Sequence, residues 1–109
     1  MVQVTLAEHP GQLSHLRVGG HADAGPYGAD LVCAAVSALV ETWRLGFDEV
    51  VAGAARCRVQ AGAAEFWWDA AAEPQAGAVA ATMVAGLRDL AESHPRFVRF
   101  VESEESREA

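Results

Sequence analysis

The chain has 109 residues, of which 51% are hydrophobic and 21% charged, so its length and apolar content suit one domain with its own core. Eight basic residues against fifteen acidic ones give a net charge of -7. This charge disfavours direct nucleic-acid binding, because phosphate neutralisation needs a basic surface. The sequence has no apolar run of membrane-spanning length and no signal-peptide pattern, so we expect a cytoplasmic protein.

The N-terminal part predicts a β-hairpin followed by a loop. Apolar residues alternate with polar or small ones over residues 2–6 and resume an extended pattern over residues 13–18, as in half-buried strands. A turn sequence at residues 8–11 separates them. Residues 22–29 contain two glycines and a proline, too many helix and strand breakers for regular structure, and predict a mobile loop.

A first helix is predicted from Leu31 to about Leu45. Its apolar residues recur at intervals of three and four, which is the period of an amphipathic helix. They are Val32, Val36, Leu39, Val40 and Trp43. Asp30 suits the N-cap position and Gly46 suits the stop after the helix.

Three short strands are predicted next, at residues 47–53, 56–61 and 65–69, with a turn at residues 61–64 joining the last two. Phe66, Trp67 and Trp68 are expected to pack on both faces of the strand that carries them.

A second helix begins near Pro74 and stops at His94-Pro95, and a last strand covers residues 97–101. The order ββαβββαβ predicts an α+β fold with two helices packed on a mixed, mainly antiparallel sheet. Residues 1–101 form the domain, and the acidic tail, residues 102–109, is expected to be frayed.

The stretch around Cys33 carries the clearest chemistry. If Asp30 caps the helix, Cys33 lies in the first turn, where free N–H groups and the helix dipole favour a thiolate. A neighbouring histidine also activates a thiol. His21 follows Gly19 and Gly20 at the end of a predicted strand, before a loop that can bring Cys33 back to it. Ser37 lies one turn after Cys33 on the same helix face, where its hydroxyl can donate to an oxyanion.

The plainer alternatives stay open at this point. Cysteine is common in cores, and Cys33 lies in an apolar segment, so packing alone explains it. Ser37 is equally consistent with a small residue on a packed helix. Cys57, on a predicted strand, is expected to point into the core. The remaining histidines lack the spacing of metal ligands, so neither a metal nor a cofactor is predicted.

The segment GHADAGPYGADLVCAAVS, residues 20–37, resembles the ribosomal-processing cysteine protease family, Prp. The resemblance implies that His21 and Cys33 form a catalytic dyad, with Gly28, Asp30 and Ser37 on the family's other motif positions. It also implies a homodimer that removes a short hydrophobic N-terminal extension from a large-subunit ribosomal protein, cutting after an aromatic residue.

We therefore predict a cysteine endopeptidase. Two alternatives remain: a non-catalytic acidic dimer that binds a basic ribosomal protein or assembly factor, and a thiol redox sensor that uses Cys33. Two further expectations concern the protease itself. Residues 22–29 are expected to gate the site. The chain also has more aromatic surface than one face of the sheet can bury, so we expect some of that surface to contact a partner copy or the substrate.

Overall fold

The structure, a computed structural model, describes residues 1–9, 11–20, 27–51, 53 and 55–103, and for residues 27–30 it describes the backbone alone. The elements in chain order are β1 (Val2–Ala7), β2 (Ser14–Gly19), α1 (Tyr27–Leu45), a π-helical turn (Gly46–Val50), β3 (Arg56–Gln60), β4 (Ala63–Trp68), α2 (Pro74–Ser93) and β5 (Val98–Glu102). Neither helix in the described ranges is both long and apolar enough to cross a membrane.

The five strands form one sheet in the order β3-β4-β2-β1-β5. The pairs β1–β2, β2–β4 and β3–β4 are antiparallel, whereas β1 and β5 run parallel. The predicted α+β class, with two helices on a mixed and mainly antiparallel sheet, is confirmed. Both predicted hairpins are also confirmed, and the second turns tightly at Gly62, whose φ of 78° glycine adopts without strain.

The predicted strand at residues 47–53 is wrong. Helical structure continues past Leu45 into the π-helical turn, which ends where the Val51 N–H donates to the Gly46 carbonyl at 2.9 Å. Phe47 lies four residues after Trp43 and is buried beside it, so it extends the apolar stripe of α1. A short apolar run does not distinguish a strand from a helix end, and Gly46 therefore does not stop the helical path.

The predicted start of the first helix is also wrong. Helix α1 begins at Tyr27, so Asp30 lies inside the helix and is not its N-cap, and residues 27–29 do not belong to a loop. The sequence held a signal for this earlier start, because proline favours the beginning of a helix and Pro26 directly precedes Tyr27. Residues 22–26 of the predicted loop lie outside the described residues, so its gating role stays a prediction.

The core lies between the two helices and one face of the sheet. The stripe predicted for α1 is confirmed, and Trp43, its last residue, stacks on Phe66 of β4 at a ring-centroid distance of 4.0 Å. Helix α2 packs on α1 closely enough that a Cβ at Gly86 would lie 3.3 Å from Leu39 Cδ1. The position of Pro74 at the start of α2 is confirmed.

The aromatic side chains of β4 divide between the two faces of the sheet, as predicted. Phe66 and Trp68 are buried in the core, and Trp67 is half-buried on the opposite face. Phe97 and Phe100 pack against the core. Most of this aromatic surface is therefore buried within the chain itself, so it gives no support to the predicted dimer. The dimer remains a prediction. The predicted frayed tail begins too early, because Glu102 is the last residue of β5 and the Ser103 N–H donates to the Leu6 carbonyl at 2.7 Å. Residues 104–109 lie outside the described residues.

Candidate active site

A cleft of about 330 Å³ opens between α1 and the end of the sheet formed by the β3–β4 hairpin. One wall is the face of α1 that carries Cys33 and Ser37, and the other is the hairpin end around Gly62. The lining residues are Val2, Val18, Gly20, Cys33, Val36, Ser37, Val40, Glu41, Val59, Gln60, Gly62, Ala63 and Ala64. The structure thus brings together three of the predicted site residues: Gly20, Cys33 and Ser37.

Helical spacing explains why α1 contributes a row of polar side chains to this cleft. Cys33, Ser37 and Glu41 follow one another at intervals of four residues, so they lie along one face of the helix. Cys33 is half-buried and packs against the core, whereas Ser37 is exposed. Neither cysteine of the chain is in a disulfide. The Cys33 sulfur therefore belongs to an open cleft and is held by a rigid helix.

Gly20 forms the floor of the cleft beside the hairpin turn. Its N–H donates to the Gly62 carbonyl at 3.1 Å, and its φ is 86°. A Cβ at this position would lie 2.5 Å from the Met1 carbonyl oxygen. Both the left-handed backbone and the close approach exclude a larger residue here, so the chain reaches the next position, His21, through a turn that only glycine makes without strain.

Cys33 does not lie at the helix terminus, and this part of the predicted activation is wrong. It comes six positions after Tyr27, the first residue of α1, and the N–H groups that lack intrahelical acceptors belong to the first turn alone. The N–H of Cys33 is therefore not among the free donors at the terminus. The helix terminus therefore does not provide the activation that was predicted for this thiol.

A compact charge group lies at the C-terminal end of α1. The Arg44 guanidinium donates to the Glu41 carboxylate and, at 3.0 Å, to Asp48. The hydrogen bond from Arg44 holds the pKa of Glu41 below its ordinary value, and Glu41 in turn raises the pKa of Arg44. The cleft therefore has an ionised carboxylate at the end remote from Cys33.

Cys57 differs from Cys33 in its surroundings. It lies on β3 opposite Phe66, half-buried and packed against the core, as predicted from sequence. Burial raises the pKa of its thiol, and the negative charge of Asp48 raises it further. Both effects disfavour the thiolate, so Cys57 is a poor candidate for a nucleophile.

Several predicted site residues cannot be placed by their side chains. His21 lies outside the described residues. Gly28 and Asp30 lie in the first turn and a half of α1, where only the backbone is described. The proposed dyad therefore remains a prediction.

A second groove, of about 600 Å³, is larger than the cleft at Cys33. It lies along α2, and its lining includes Ala81, Val84, Ala85, Asp89 and Glu92. None of the described residues that line it is a cysteine or histidine. Within the described ranges, no group of three His, Cys, Asp or Glu side chains is arranged to hold a metal ion. The cleft at Cys33 is therefore the better candidate, although it is smaller.

Sequence reasoning missed the second wall of the cleft. Val59, Gly62 and Ala63 come from the β3–β4 hairpin, which lies beside β2 because of the strand order. No local pattern predicts that order. The position of Glu41, in contrast, was available from the sequence, since it continues the four-residue spacing of Cys33 and Ser37.

Comparison with known proteins agrees with the fold. The chain superposes on the ribosomal processing protease Prp of S. aureus solved with a substrate peptide (TM-score 0.81, 20% identity, 94% of this chain and 100% of that one). The same enzyme with a covalently linked product peptide gives a TM-score of 0.80 at 22% identity and the same coverage.

A third solved structure, SMU.848 from Streptococcus mutans, gives a TM-score of 0.71 at 26% identity, with 94% of this chain and 93% of that one covered. A search among curated proteins finds no match. The family described as cysteine protease Prp matches residues 1–99, nearly the whole chain. The chain therefore belongs to the Prp family of cysteine proteases.

Proposed function

We propose that this protein is a cysteine endopeptidase in which Cys33 is the nucleophile and His21 the general base and acid. One observation carries the proposal: Cys33 and Gly20, the residue bonded to His21, line the same cleft. Membership of the Prp family agrees with this chemistry.

In the proposed reaction, His21 takes the proton of the Cys33 thiol and the thiolate attacks the scissile carbonyl carbon. The oxyanion that forms accepts a hydrogen bond from the Ser37 hydroxyl, one helical turn beyond the nucleophile. His21 then protonates the leaving amine, and the peptide C–N bond breaks to leave a thioester on Cys33. Water, deprotonated by His21, attacks the thioester carbonyl carbon; the C–S bond then breaks, the carboxylic acid product leaves, and His21 returns the proton to the Cys33 sulfur.

The walls of the cleft favour an extended apolar peptide. Val18, Val36 and Val40 line it with small side chains around them, and Val59 on the hairpin wall is 40% exposed, a large fraction for an apolar side chain. We propose that the substrate is a large-subunit ribosomal protein whose short hydrophobic N-terminal extension is removed after an aromatic residue. The similar S. aureus protein is a ribosomal processing protease that was solved with a substrate peptide and with a product peptide. This similarity supports the proposed substrate.

The charge of the chain fits the same substrate. A net charge of -7 attracts a basic ribosomal protein and raises its rate of encounter. We also propose that the protein is a cytoplasmic homodimer. Sedimentation velocity at micromolar concentration tests the oligomeric state, and a monomer at that concentration would contradict the proposed dimer.

Cleavage of a peptide that spans the extension and the first residues of the mature ribosomal protein tests the reaction. We expect Cys33→Ala and His21→Ala each to lower kcat/KM by at least about a thousandfold, because a nucleophile and its base act as one unit. Cys57→Ala is the matched control and should stay within about twofold of the wild type, since its thiol lies outside the cleft. Cleavage by Cys33→Ala at the wild-type rate would contradict the proposal.

A further inference from the structure

The face of the sheet opposite the helices carries side chains quite unlike those of the rest of the protein. Strand register places them in three rows across the sheet. The rows are Arg56, Trp67, His15 and Ala7; Arg58, Glu65, Arg17, Thr5 and Val101; and Gln60, Ala63, Gly19, Gln3 and Arg99. We call this set of residues the outer face. Successive residues of a strand point to opposite sides, so no outer-face side chain enters the core.

The outer face is basic although the chain is acidic. It carries four arginines, all exposed, and a single carboxylate, Glu65. The other acidic residues in the described part of the chain lie on the helices, the π-helical turn, the connections and the inner side of β5. A net charge of -7 thus averages two surfaces of opposite sign.

The charges on the outer face are organised around Trp67. The Arg56 guanidinium lies 5.5 Å from the centroid of its ring, and the His15 ring stacks on Trp67 with a centroid distance of 5.2 Å. Glu65 accepts hydrogen bonds from His15 Nε2 at 2.8 Å and from Arg58 at 3.3 Å. The single carboxylate is therefore occupied within the face, and positive charge remains in excess there.

Arg17 and Arg99 supply that excess. Both side chains are exposed, and neither has an acidic partner among the described residues. Together with Arg56, they spread positive charge over three strands of the sheet. The same face also carries Gly19, Ala63 and Ala7, which have a small side chain or none.

We propose that the outer face binds single-stranded RNA. Guanidinium groups bind phosphate through paired hydrogen bonds and also stack on bases, so the exposed arginines of this sheet face serve both parts of a nucleotide. Aromatic residues on open sheets are a recurrent way of holding unpaired bases, and Trp67 supplies an indole ring on this face. The proposal departs from the expectation drawn from net charge, because the charge of this face differs in sign from that of the whole chain.

A second copy of the chain is the less favoured occupant. In a two-fold contact each patch meets its own copy, so the arginines of one face would meet the same arginines of the other. Like charges brought together in this way repel. An acidic polypeptide matches the charge, but it has no planar bases for the guanidinium and indole groups to stack on.

Fluorescence anisotropy with a labelled oligouridylate of about sixteen nucleotides tests the proposal. Removing the charges in Arg17→Gln/Arg56→Gln should weaken binding about tenfold and lower the slope of log affinity against log salt by about 1.4, since each single-strand phosphate contact contributes about 0.7. The control Arg44→Gln/Arg96→Gln removes the same charge away from the outer face, since Arg44 lies on α1 and Arg96 is exposed in the connection between α2 and β5. Its affinity should stay within about twofold of wild type.

Tryptophan fluorescence locates the bound RNA. Trp43 and Trp68 are buried, so quenching by RNA should come from Trp67 and should disappear in Trp67→Phe while most of the anisotropy change remains. Three results would overturn the proposal: no wild-type binding at low salt, equal weakening in the two double variants, or displacement by polyglutamate as effective as by unlabelled RNA. None of these measurements depends on peptidase activity, so the proposed reaction is tested separately.

Discussion

The inner and outer faces of the sheet are built from the same strands and differ in almost every property. On β4, Phe66 and Trp68 are buried under the helices, whereas Glu65 and Trp67 alternate with them on the outer face. The inner face packs against the helices and stabilises the fold, and the cleft with Cys33 lies at its edge. The outer face is charged. Because alternate residues serve the two faces, the charged surface can change without altering the core.

The largest expected contrast is between two tryptophans. Trp43 is fully buried among Phe47, Phe66 and Trp68, so Trp43→Ala should lower the free energy of unfolding by about 3–5 kcal/mol. Trp67→Ala, on the outer face, should lower it by less than about 1.5 kcal/mol, because it loses a cation–π contact with Arg56, the stacking on His15 and a side chain that is only half-buried. Urea denaturation measures both.

If Trp43→Ala does not fold, Trp43→Phe gives a milder test of the same contrast. Equal losses for the substitutions at Trp43 and Trp67 would contradict the assignment of Trp43 to the core between α1 and the inner face of the sheet.

The next contrast is between two glycines with similar positive φ. Gly20→Ala should destabilise the protein by about 2–3 kcal/mol and slow peptide cleavage, since the new methyl group would clash with the Met1 carbonyl beside the cleft. At Gly11, with φ of 76°, an added methyl group would meet no atom within 4 Å, so Gly11→Ala should cost about 1 kcal/mol and leave cleavage unchanged. Thermal unfolding and cleavage rates compare them.

The next comparison is between the reactivities of the two cysteines, Cys33 and Cys57. Iodoacetamide should modify Cys33 before Cys57 near neutral pH, because Cys33 lines an open cleft while burial raises the pKa of the Cys57 thiol. Modification of Cys57 should become prominent only in more alkaline solution. Peptide mapping by mass spectrometry follows both sites, and preferential labelling of Cys57 at neutral pH would contradict the assignment.

The smallest expected effect concerns Glu65 on the outer face. The hydrogen bond from His15 holds the pKa of this carboxyl below its ordinary value. The pair therefore stabilises the folded state at pH values above the ordinary carboxyl pKa, and this contribution is lost as the pH falls through the lowered pKa of the folded state. Glu65→Gln should therefore cost about 1 kcal/mol or less near neutral pH. The difference from wild type should vanish in acid.

Urea denaturation at several pH values measures this dependence. Glu49→Gln, on the exposed side of the π-helical turn, serves as the control carboxylate. A wild-type advantage over Glu65→Gln that grows as the solution is acidified would contradict the role assigned to the His15–Glu65 pair.

Local sequence patterns were enough to predict both hairpins from alternation and turn residues, the apolar stripes of α1 and α2 from helical spacing, and a motif that joined Cys33 to a protease family. Contacts between distant segments settled what these pieces build together. These contacts place Phe47 in a π-helical turn over the core. They also place the Gly62 hairpin beside Gly20 and Cys33, which forms the cleft, and the arginines of three strands on one face of the sheet. The physical reason is range, because periodicity and turn chemistry act over a few residues, whereas strand order and surface charge depend on segments far apart in the chain.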